Sequence, residues 1–282
     1  MRGFCIHLLL YKGDKRMKDK VFKLNIKEYF QQEKAEIKKY IETVNKAPKL
    51  AVIQVGDNPA SNKYITNKKK DCEEVGIVFE WYHFPEDITT DELIFNIDDI
   101  QEEVDAIIVQ MPVPAHIDVK AVELAIDPKK DVDGFHPMSH FYPCTPLGIV
   151  NYLKACDYDF VGKDIAVIGR SDIVGKPMAR MLTDLDATVT LCHSKTKRLG
   201  ANIVYADLVI CAVGKAKFLD CSNIHTPIVD VGINFDENGK MCGDCYNTEN
   251  AEVTPVPGGV GLLTRLAMLN NIIMATIEED LF

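Results

Sequence analysis

One stretch, residues 162–182, restricts the fold of this chain more than any other. It reads Gly-Lys-Asp-Ile-Ala-Val-Ile-Gly-Arg-Ser-Asp-Ile-Val-Gly-Lys-Pro-Met-Ala-Arg-Met-Leu. Its apolar, β-branched run at 165–168 is typical of a buried parallel strand, and the run ends at Gly169. Apolar residues at helical spacing follow Pro177, which fits a first helical turn because its missing N–H costs nothing there. With a second strand predicted at 187–192, the stretch forms one βαβ unit of a dinucleotide fold.

The turn between this strand and this helix is a candidate anion site. Unpaired backbone N–H groups and the positive end of the helix dipole converge at a helix N-terminus. The motif departs from G-x-G-x-x-G, because Ser171 replaces the middle glycine and the next glycine is Gly175. The turn therefore predicts a nucleotide site, with an ordinary βα turn as the alternative.

The end of the second predicted strand indicates which nucleotide is bound. An NAD enzyme tends to place an acidic residue there to hold the ribose 2′-OH. Here residues 193–198 read His-Ser-Lys-Thr-Lys-Arg, without an acid and with several cations, and Arg170 lies in the first turn. The pattern favours NADP, whose 2′-phosphate suits these cations; a solvated basic loop is the alternative.

Length and charge limit the classes of protein. A chain of 282 residues forms one large domain or two modest ones. Its net charge of −10 argues against nucleic acid or an anionic membrane as a general partner. No apolar run approaches the length of a membrane span. Residues 1–16 lack a signal-peptide cleavage site, and we interpret them as an upstream extension, with Met17 as a plausible start.

The cysteines indicate a reducing compartment. Nine are scattered along the chain, several inside apolar runs. This pattern predicts buried free thiols and therefore a cytoplasmic protein. The pair Cys242 and Cys245 forms a lone C-x-x-C without a second pair, so neither a redox role nor a zinc site is predicted.

Upstream of the nucleotide unit, alternating patterns predict a second α/β lobe. Strands are expected at 50–55, 77–83 and 104–110, and helices at 27–43, 60–75, 90–100 and 119–126. A helix at 147–155 leads into the nucleotide unit, which continues with strands at 208–213 and 228–231. A Gly/Pro loop at 254–261 and a last amphipathic helix at 262–278 complete the chain. The predicted fold is α/β with two lobes, one of 17–145 plus 262–282 and one of 146–261.

Three side chains of one predicted helix have the types needed for proton transfer. Ser61, Tyr64 and Lys68 are spaced i, i+3 and i+7 and therefore share a face. A tyrosine can stack on an aromatic substrate while a lysine one turn away donates a hydrogen bond or shuttles a proton. The alternative is an exposed face that continues into Lys69 and Lys70.

Two further polar positions follow predicted strands or turns. Gln110 ends a strand, where open α/β sheets bind ligands, and its amide can orient a water; a solvent-facing glutamine is the alternative. Asp131 and Asp133 flank a turn, where a carboxylate can bind the paired N–H groups of a pterin or a guanine-like ring; a plain turn is the alternative. No metal site is predicted, because Tyr142 stands where a calcium loop needs its last glutamate.

Six motifs, taken together and in order, resemble the bifunctional methylenetetrahydrofolate dehydrogenase/methenyltetrahydrofolate cyclohydrolase family, from about Phe22 to the C-terminus. They are VGDNPASNKYITNK at 55–68, VQMPVP at 109–114, KDVDGFHP at 130–137, PCTPLG at 143–148, GRSDIVGKP at 169–177 and TPVPGGVG at 254–261. The resemblance implies an N-terminal catalytic lobe that binds folate, a Rossmann-like lobe that binds NADP, a cleft between them, and a homodimer.

The resemblance also implies a role for each matched residue. The catalytic set is Lys68, assisted by Gln110, together with Tyr64, which packs on the folate, and Asp133, which anchors the pterin. The other implied substrate contacts are Ser61, Pro257, Gly258 and Gly261. The implied cofactor contacts are Gly169, Arg170 and Ser171 at the phosphates, Ser194 near the 2′-phosphate, and Ile233.

The family oxidises 5,10-methylenetetrahydrofolate with NADP⁺ and hydrolyses the methenyl product to 10-formyltetrahydrofolate, within one-carbon metabolism and purine biosynthesis. This chain departs from the family pattern in a shortened segment at 138–142 and in Leu262, so the balance of the two activities is open. A short-chain dehydrogenase is disfavoured because Tyr64 precedes the nucleotide turn. A folate- or nucleotide-binding regulator without turnover is disfavoured because Lys68, Gln110 and Asp133 are all present.

Overall fold

The structure is a computed structural model that describes residues 20–279, without the side chains of Ala60, Glu278 and Glu279. The interpretation of residues 1–16 as an extension lies outside the described residues. The chain divides into two compact units. The three-stranded unit comprises Phe30–Gly148 and residues 264–279, and the four-stranded unit comprises residues 20–29 and Ile149–Leu263. The division from sequence had placed residues 20–29 with the other lobe.

The three-stranded unit is built on a parallel sheet with the order β2-β1-β3. Its strands are β1 (Lys49–Val55), β2 (Val78–Phe84) and β3 (Ala106–Val109), and its helices are α2 (Pro59–Val75), α3 (Thr90–Gln101) and α4 (Val119–Ala125), after α1 (Ile26–Ile41). Every residue of β3 is buried, as expected of a parallel strand covered on both faces. The alternation predicted from sequence is present, with strand ends shifted by a few residues.

Local signals explain where two of these helices begin or end. Gly76 has a φ of +94°, and the N–H groups of Gly76 and Ile77 both donate to the carbonyl of Cys72, which closes α2. Thr89 and Glu92 form a capping box at the start of α3. Gly76, whose positive φ suits glycine, therefore ends α2 directly after Val75.

The four-stranded unit is built on a parallel sheet with the order β5-β4-β6-β8. The strands are β4 (Asp164–Ile168), β5 (Thr188–Cys192), β6 (Leu208–Cys211) and β8 (Ile228–Asp230), and the helices are α6 (Gly175–Thr183) and α7 (Leu199–Val204). Helix α5 (Cys144–Ala155) begins in the three-stranded unit and continues into this one. Four two-residue strands, β7 (Leu219–Asp220), β9 (Asn234–Phe235), β10 (Met241–Cys242) and β11 (Cys245–Tyr246), form two small ribbons. Because β5 and β6 flank β4 on opposite sides, the carboxyl end of β4 is a topological switch point, where such sheets bind ligands.

Helix α8 (Val260–Glu279) begins two residues earlier than predicted, so Gly261 lies in the helix and not in the loop. Its window Val260–Ile277 has a mean hydropathy of 1.5, and by length and composition this is the one helix among residues 20–279 that could cross a membrane. No such stretch is predicted from the sequence. However, 56% of the window is buried inside the protein, which is the pattern of a core helix.

The described cysteines are free, and all of them are buried except Cys242, which is half-buried. This confirms the prediction of buried free thiols for the part of the chain that the structure covers. Four of these thiols, those of Cys192, Cys211, Cys221 and Cys245, belong to the core of the four-stranded unit. Of these, Cys192 and Cys211 end the strands β5 and β6, which were predicted as apolar runs.

Candidate active site

Helix α2 turns the predicted catalytic face inward. Ser61 and Lys68 are 3% and 8% exposed, and Tyr64 is half-buried, whereas Lys69 and Lys70 are exposed and pair with Glu73 and Glu74. The alternative of a solvated helix face is therefore wrong. Burial raises the pKa of the Tyr64 hydroxyl, so that the side chain stays a neutral hydrogen-bonding phenol.

A hydrogen bond joins the two residues predicted to handle protons and water. Lys68 Nζ donates to Gln110 Oε1 over 3.1 Å, and Gln110 Nε2 donates to the carbonyl of Met111 over 2.8 Å. The second bond orients the amide, so its oxygen is the atom that faces the lysine. Gln110 follows β3 and is half-buried, and both of its amide atoms bond within the protein, which disfavours the alternative of a solvent-facing glutamine.

The two aspartates after Lys130 have different structural tasks. Asp131 is buried, and its carboxylate accepts the backbone N–H groups of Gly134 (3.2 Å) and His136 (2.7 Å), so it builds the turn. Asp133 is half-buried and makes neither of these bonds. Of the two carboxylates, Asp133 is therefore the better placed to bind a ligand.

The buried thiol of Cys144 lies within electrostatic range of both Asp133 and Lys68. Burial raises its pKa well above the ordinary value, the negative charge of Asp133 acts in the same direction, and the positive charge of Lys68 opposes it. Asn271 of α8 donates to Cys144 Sγ and to the carbonyls of Val132 and Tyr142. The structure thus brings the predicted amine and carboxylate of this unit to one neighbourhood.

One hydroxyl in this region has no partner among the described residues. Ser61 Oγ is buried and makes no hydrogen bond, although the Ser61 N–H is capped by Asn58 Oδ1. A buried polar atom without a partner is costly, and a bound ligand or water relieves that cost. This is the feature that most directly marks the α2 face as a binding surface.

In the four-stranded unit, the Gly169 turn lies at the carboxyl end of β4 with its backbone packed against the next loop. Gly169 has a φ of +117°, and a Cβ on it would lie 2.0 Å from the carbonyl oxygen of Ala212. A Cβ on Gly175 would lie 2.1 Å from the carbonyl oxygen of Gly169. Only glycine fits these two positions, so the unusual spacing of the motif still produces a tight strand–turn–helix junction.

The turn before α6 supplies hydrogen-bond acceptors for N–H groups at the start of that helix. Ser171 Oγ accepts the N–H groups of Val174 (3.3 Å) and Gly175 (3.4 Å), and the Ser171 carbonyl accepts that of Lys176. Pro177 lies in the first helical turn, as predicted. The hydroxyl therefore orders the loop beside which the phosphates of a dinucleotide are expected.

The remaining predicted cofactor residues lie at the same edge of this sheet. The Gly169 N–H donates to the carbonyl of Cys192, so the loop that carries Ser194 starts directly beside the turn. Arg170 and Ser194 are exposed, and Ile233, which follows β8, is 39% exposed. A glycine cradle, a helix N-terminus and exposed cationic side chains fit the phosphates of NADP.

The glycine-rich loop before α8 is shaped by its own backbone. A Cβ on Gly259 would lie 2.1 Å from the carbonyl oxygen of Pro255, and Gly258 has a φ of +93°. A Cβ on Gly261 would approach Ile233 Cδ1 to 3.8 Å, an ordinary contact. The turn thus requires glycine at 258 and 259. This requirement does not test the ligand contacts predicted for Pro257, Gly258 and Gly261.

Sequence reasoning missed Asp244, which is fully buried next to the predicted nucleotide turn. Its carboxylate accepts the N–H groups of Val213 (2.6 Å), Gly214 (2.9 Å) and Lys215 (2.8 Å). Because these N–H groups serve the carboxylate, β6 ends at Cys211, before the predicted 213. The available signal was an aspartate inside the C-x-x-C of Cys242 and Cys245, a motif that directs attention to the thiols and not to the carboxylate.

No cluster of three metal-ligating side chains occurs among residues 20–279. The candidate site therefore consists of proton-transfer groups and hydrogen-bonding groups in the three-stranded unit, and of a dinucleotide cradle in the four-stranded unit.

Comparisons with known proteins give the family. Residues 24–133 match the family model described as tetrahydrofolate dehydrogenase/cyclohydrolase, catalytic domain, and residues 143–280 match the NAD(P)-binding domain of the same family. A bifunctional protein FolD from Bacillus velezensis is 45% identical over 241 residues, which cover 79% of this chain and 85% of the relative. One from Agathobacter rectalis is 43% identical over 274 residues, covering 91% and 96%.

Solved structures agree with this assignment. The crystal structure of the bifunctional enzyme FolD from Campylobacter jejuni has a TM-score of 0.86 and 40% identity, over 90% of this chain and 98% of that one. The methylenetetrahydrofolate dehydrogenase-cyclohydrolase of Trypanosoma brucei, complexed with NADP cofactor and an inhibitor, has a TM-score of 0.85 and 26% identity, over 91% and 97%. The resemblance inferred from the six motifs is confirmed, and this chain belongs to the tetrahydrofolate dehydrogenase/cyclohydrolase family.

Proposed function

We propose that this chain oxidises 5,10-methylenetetrahydrofolate with NADP⁺ and hydrolyses the resulting 5,10-methenyl cation to 10-formyltetrahydrofolate. The observation that carries the proposal is the partly buried hydrogen bond from Lys68 to Gln110, in the unit that matches the family's catalytic domain. The other unit matches the NAD(P)-binding domain and has the glycine cradle after β4. Both halves of the required chemistry are thus supported by named groups.

The oxidation step requires mainly that the folate be aligned with the nicotinamide. NADP⁺, when bound, accepts the hydride, and the two nitrogens that flank the donor carbon share the positive charge that develops on the folate. The protein therefore has to bind and orient the folate, for which Tyr64 offers a half-buried ring and Asp133 a carboxylate for the pterin N–H groups. Correct placement alone supplies a large part of such a rate enhancement.

The hydrolysis step requires a positioned water and a proton acceptor. Water adds to the carbon of the methenyl cation and loses one proton, which gives a neutral hydroxyl adduct. The hydroxyl of the adduct then loses its proton to form the formyl C=O as one carbon–nitrogen bond breaks, the departing nitrogen gains a proton, and the formyl group stays on the other nitrogen. Lys68 Nζ is the group placed to hold or move the proton, and Gln110 holds Lys68 in place through its oriented amide. Neither step requires a metal ion.

The direct test is an assay of the purified chain with 5,10-methylenetetrahydrofolate and either NADP⁺ or NAD⁺. Absorbance follows reduction of the cofactor, and chromatography follows 10-formyltetrahydrofolate. We expect both products with NADP⁺. Reduction of neither cofactor would contradict the proposal and would favour a binding protein without turnover.

We expect NADP to be preferred over NAD because Arg170 and Ser194 suit the 2′-phosphate. Removing the guanidinium in Arg170→Ala should lower kcat/KM for NADP⁺ about 10- to 100-fold, the worth of a charge-assisted hydrogen bond, with little change for NAD⁺. Lys176→Ala is the control, since Lys176 pairs with Asp172 at 2.5 Å. Equal kcat/KM for the two cofactors in the wild type would contradict the assignment.

We also propose a cytoplasmic homodimer that supplies one-carbon units for purine biosynthesis, with folates as its partners. The location and the pathway follow from the resemblance and from the free thiols. The dimer is supported by β2, an edge strand of the three-stranded sheet whose Val78 and Trp81 are 44% and 40% exposed. Light scattering should give the mass of two chains, and a monomer at micromolar concentration would contradict the dimer.

A further inference from the structure

A buried carboxylate ties the catalytic helix to two other helices of the three-stranded unit. Asp71 lies three residues after Lys68 on α2 and is 3% exposed. It accepts a 2.8 Å hydrogen bond from Lys34 Nζ of α1 and another from Arg265 Nη1 of α8. A carboxylate buried this deeply needs compensating charge, and here two cations supply it.

Arg265 does more than neutralise Asp71. The same Nη1 also donates to the carbonyl oxygen of Asn67, the residue before Lys68, over 3.4 Å. Its guanidinium carbon lies 5.3 Å from the centroid of the Phe30 ring, within range of a cation–π interaction. Its side chain is 17% exposed. Its bond to Asp71 is partly buried, whereas its bond to the carbonyl of Asn67 is exposed.

Lys34 provides a comparison within the same cluster. It bonds Asp71 and Glu74 and lies 5.1 Å from the Phe30 ring centroid, but no bond joins it to the backbone beside Lys68. Arg265 thus bonds α2 on both sides of Lys68, at Asn67 and at Asp71. Lys34 bonds α2 only on the C-terminal side of Lys68, at Asp71 and Glu74.

The electrostatics point to the same turn of α2. Burial raises the pKa of the Tyr64 hydroxyl, and the positive charge of Arg265 acts against that rise. The guanidinium therefore lies within electrostatic range of the residue one turn before Lys68 as well as in contact with the residue one turn after it.

We infer that Arg265 is a positioning residue, which holds the turn of α2 so that Lys68 stays aligned with Gln110. The inference rests on the proposed function. Displacing a catalytic group by about 1 Å can cost about 100-fold in rate. Hydrolysis depends on the Lys68–Gln110 pair, whereas hydride transfer depends mainly on the alignment of the folate with the nicotinamide. Loss of Arg265 therefore slows hydrolysis selectively.

The test compares three variants by the ratio of cyclohydrolase kcat to dehydrogenase kcat, with the midpoint of urea unfolding measured alongside. Arg265→Met keeps an unbranched side chain and removes the positive charge and the hydrogen bonds to Asn67 and Asp71. Arg265→Lys restores a charge that can reach one of the two acceptors. Lys34→Met is the matched control, because it also removes one cation from Asp71 and leaves the bond to Asn67 intact.

We expect Arg265→Met to lower the ratio about 10-fold or more, with KM for the methenyl substrate changed by less than about 3-fold. Arg265→Lys should recover part of the ratio. Lys34→Met should lower the unfolding midpoint and leave the ratio unchanged.

Two results would overturn the inference: an unchanged ratio in Arg265→Met, or an equal fall in Lys34→Met, which would mean general loosening of the unit. If Arg265→Met does not fold, Arg265→Lys decides, and an unchanged ratio there overturns the inference. A wild-type protein that performs neither reaction overturns the proposed function as well, whereas an active wild type with an unchanged ratio in the variants rejects Arg265 alone.

Discussion

Replacing Lys68 with methionine is expected to lower the cyclohydrolase rate about 10²- to 10⁴-fold, the usual contribution of a positioned acid or base. Methionine keeps an unbranched side chain of similar length in a place where the lysine is 8% exposed, and it removes the amine that bonds Gln110. The measurement is the rate of hydrolysis of methenyltetrahydrofolate. Binding of NADP, measured by fluorescence titration, should be unchanged because the nucleotide cradle belongs to the other unit.

Lys69→Met is the matched control for this variant. Lys69 is the next residue on α2, but its side chain is 47% exposed and pairs with Glu73. A surface pair of this kind contributes about 0–1 kcal/mol, so its loss should leave both activities close to wild type. An unchanged hydrolysis rate in Lys68→Met would reject the catalytic role of this lysine.

The second large effect is expected from Gly169→Ala, which should abolish NADP binding at concentrations that saturate the wild type. The new Cβ would lie 2.0 Å from the carbonyl oxygen of Ala212, so the turn after β4 or the loop after β6 has to move. The φ of +117° adds strain of about 1–3 kcal/mol for any residue with a side chain. The measurements are the Kd for NADP and the thermal unfolding midpoint, both of which should worsen.

Gly200→Ala is the control for the glycine substitution. Gly200 lies in α7, and a Cβ on it would meet nothing within 4 Å. Alanine there should leave NADP binding unchanged and raise stability by up to about 1 kcal/mol. If Gly169→Ala binds NADP as tightly as the wild type, the turn after β4 is not where the nucleotide binds.

Most of the fold could be predicted from the sequence, because the signals for its strands and helices are local. Apolar β-branched runs identified the strands β1, β3, β4, β6 and β8. The βαβ unit around Gly169 was found without the usual glycine spacing, since a strand, a tight turn and a helix start were all present. The two-residue strands and α7 escaped because such short elements have no periodicity to detect.

The site was predicted less completely, for a physical reason. Spacing alone placed Ser61, Tyr64 and Lys68 on one face, but it gave no sign that this face is buried while Lys69 is exposed. That difference comes from packing between distant parts of the chain. Motif resemblance, and not periodicity, selected Lys68 from its neighbours.

Side chains that act across long sequence separations were beyond local reasoning. Arg265 and Asp71 are 194 residues apart, and Asp244 lies 31 residues from the first N–H group that it binds, that of Val213. Neither acidic residue belongs to a local pattern that assigns it a task. Their positions become intelligible only once the helices and loops are packed.

The central claim is that one chain moves a hydride from a folate carbon and then adds water to that same carbon. The most direct measurement uses 5,10-methylenetetrahydrofolate with both methylene hydrogens replaced by deuterium, together with NADP⁺ and the purified chain, followed by mass spectrometry of both products. The account predicts one deuterium in the reduced cofactor and the other in the formyl group of 10-formyltetrahydrofolate. Recovery of the folate with both deuterium atoms, beside an unlabelled and oxidised cofactor, would contradict it.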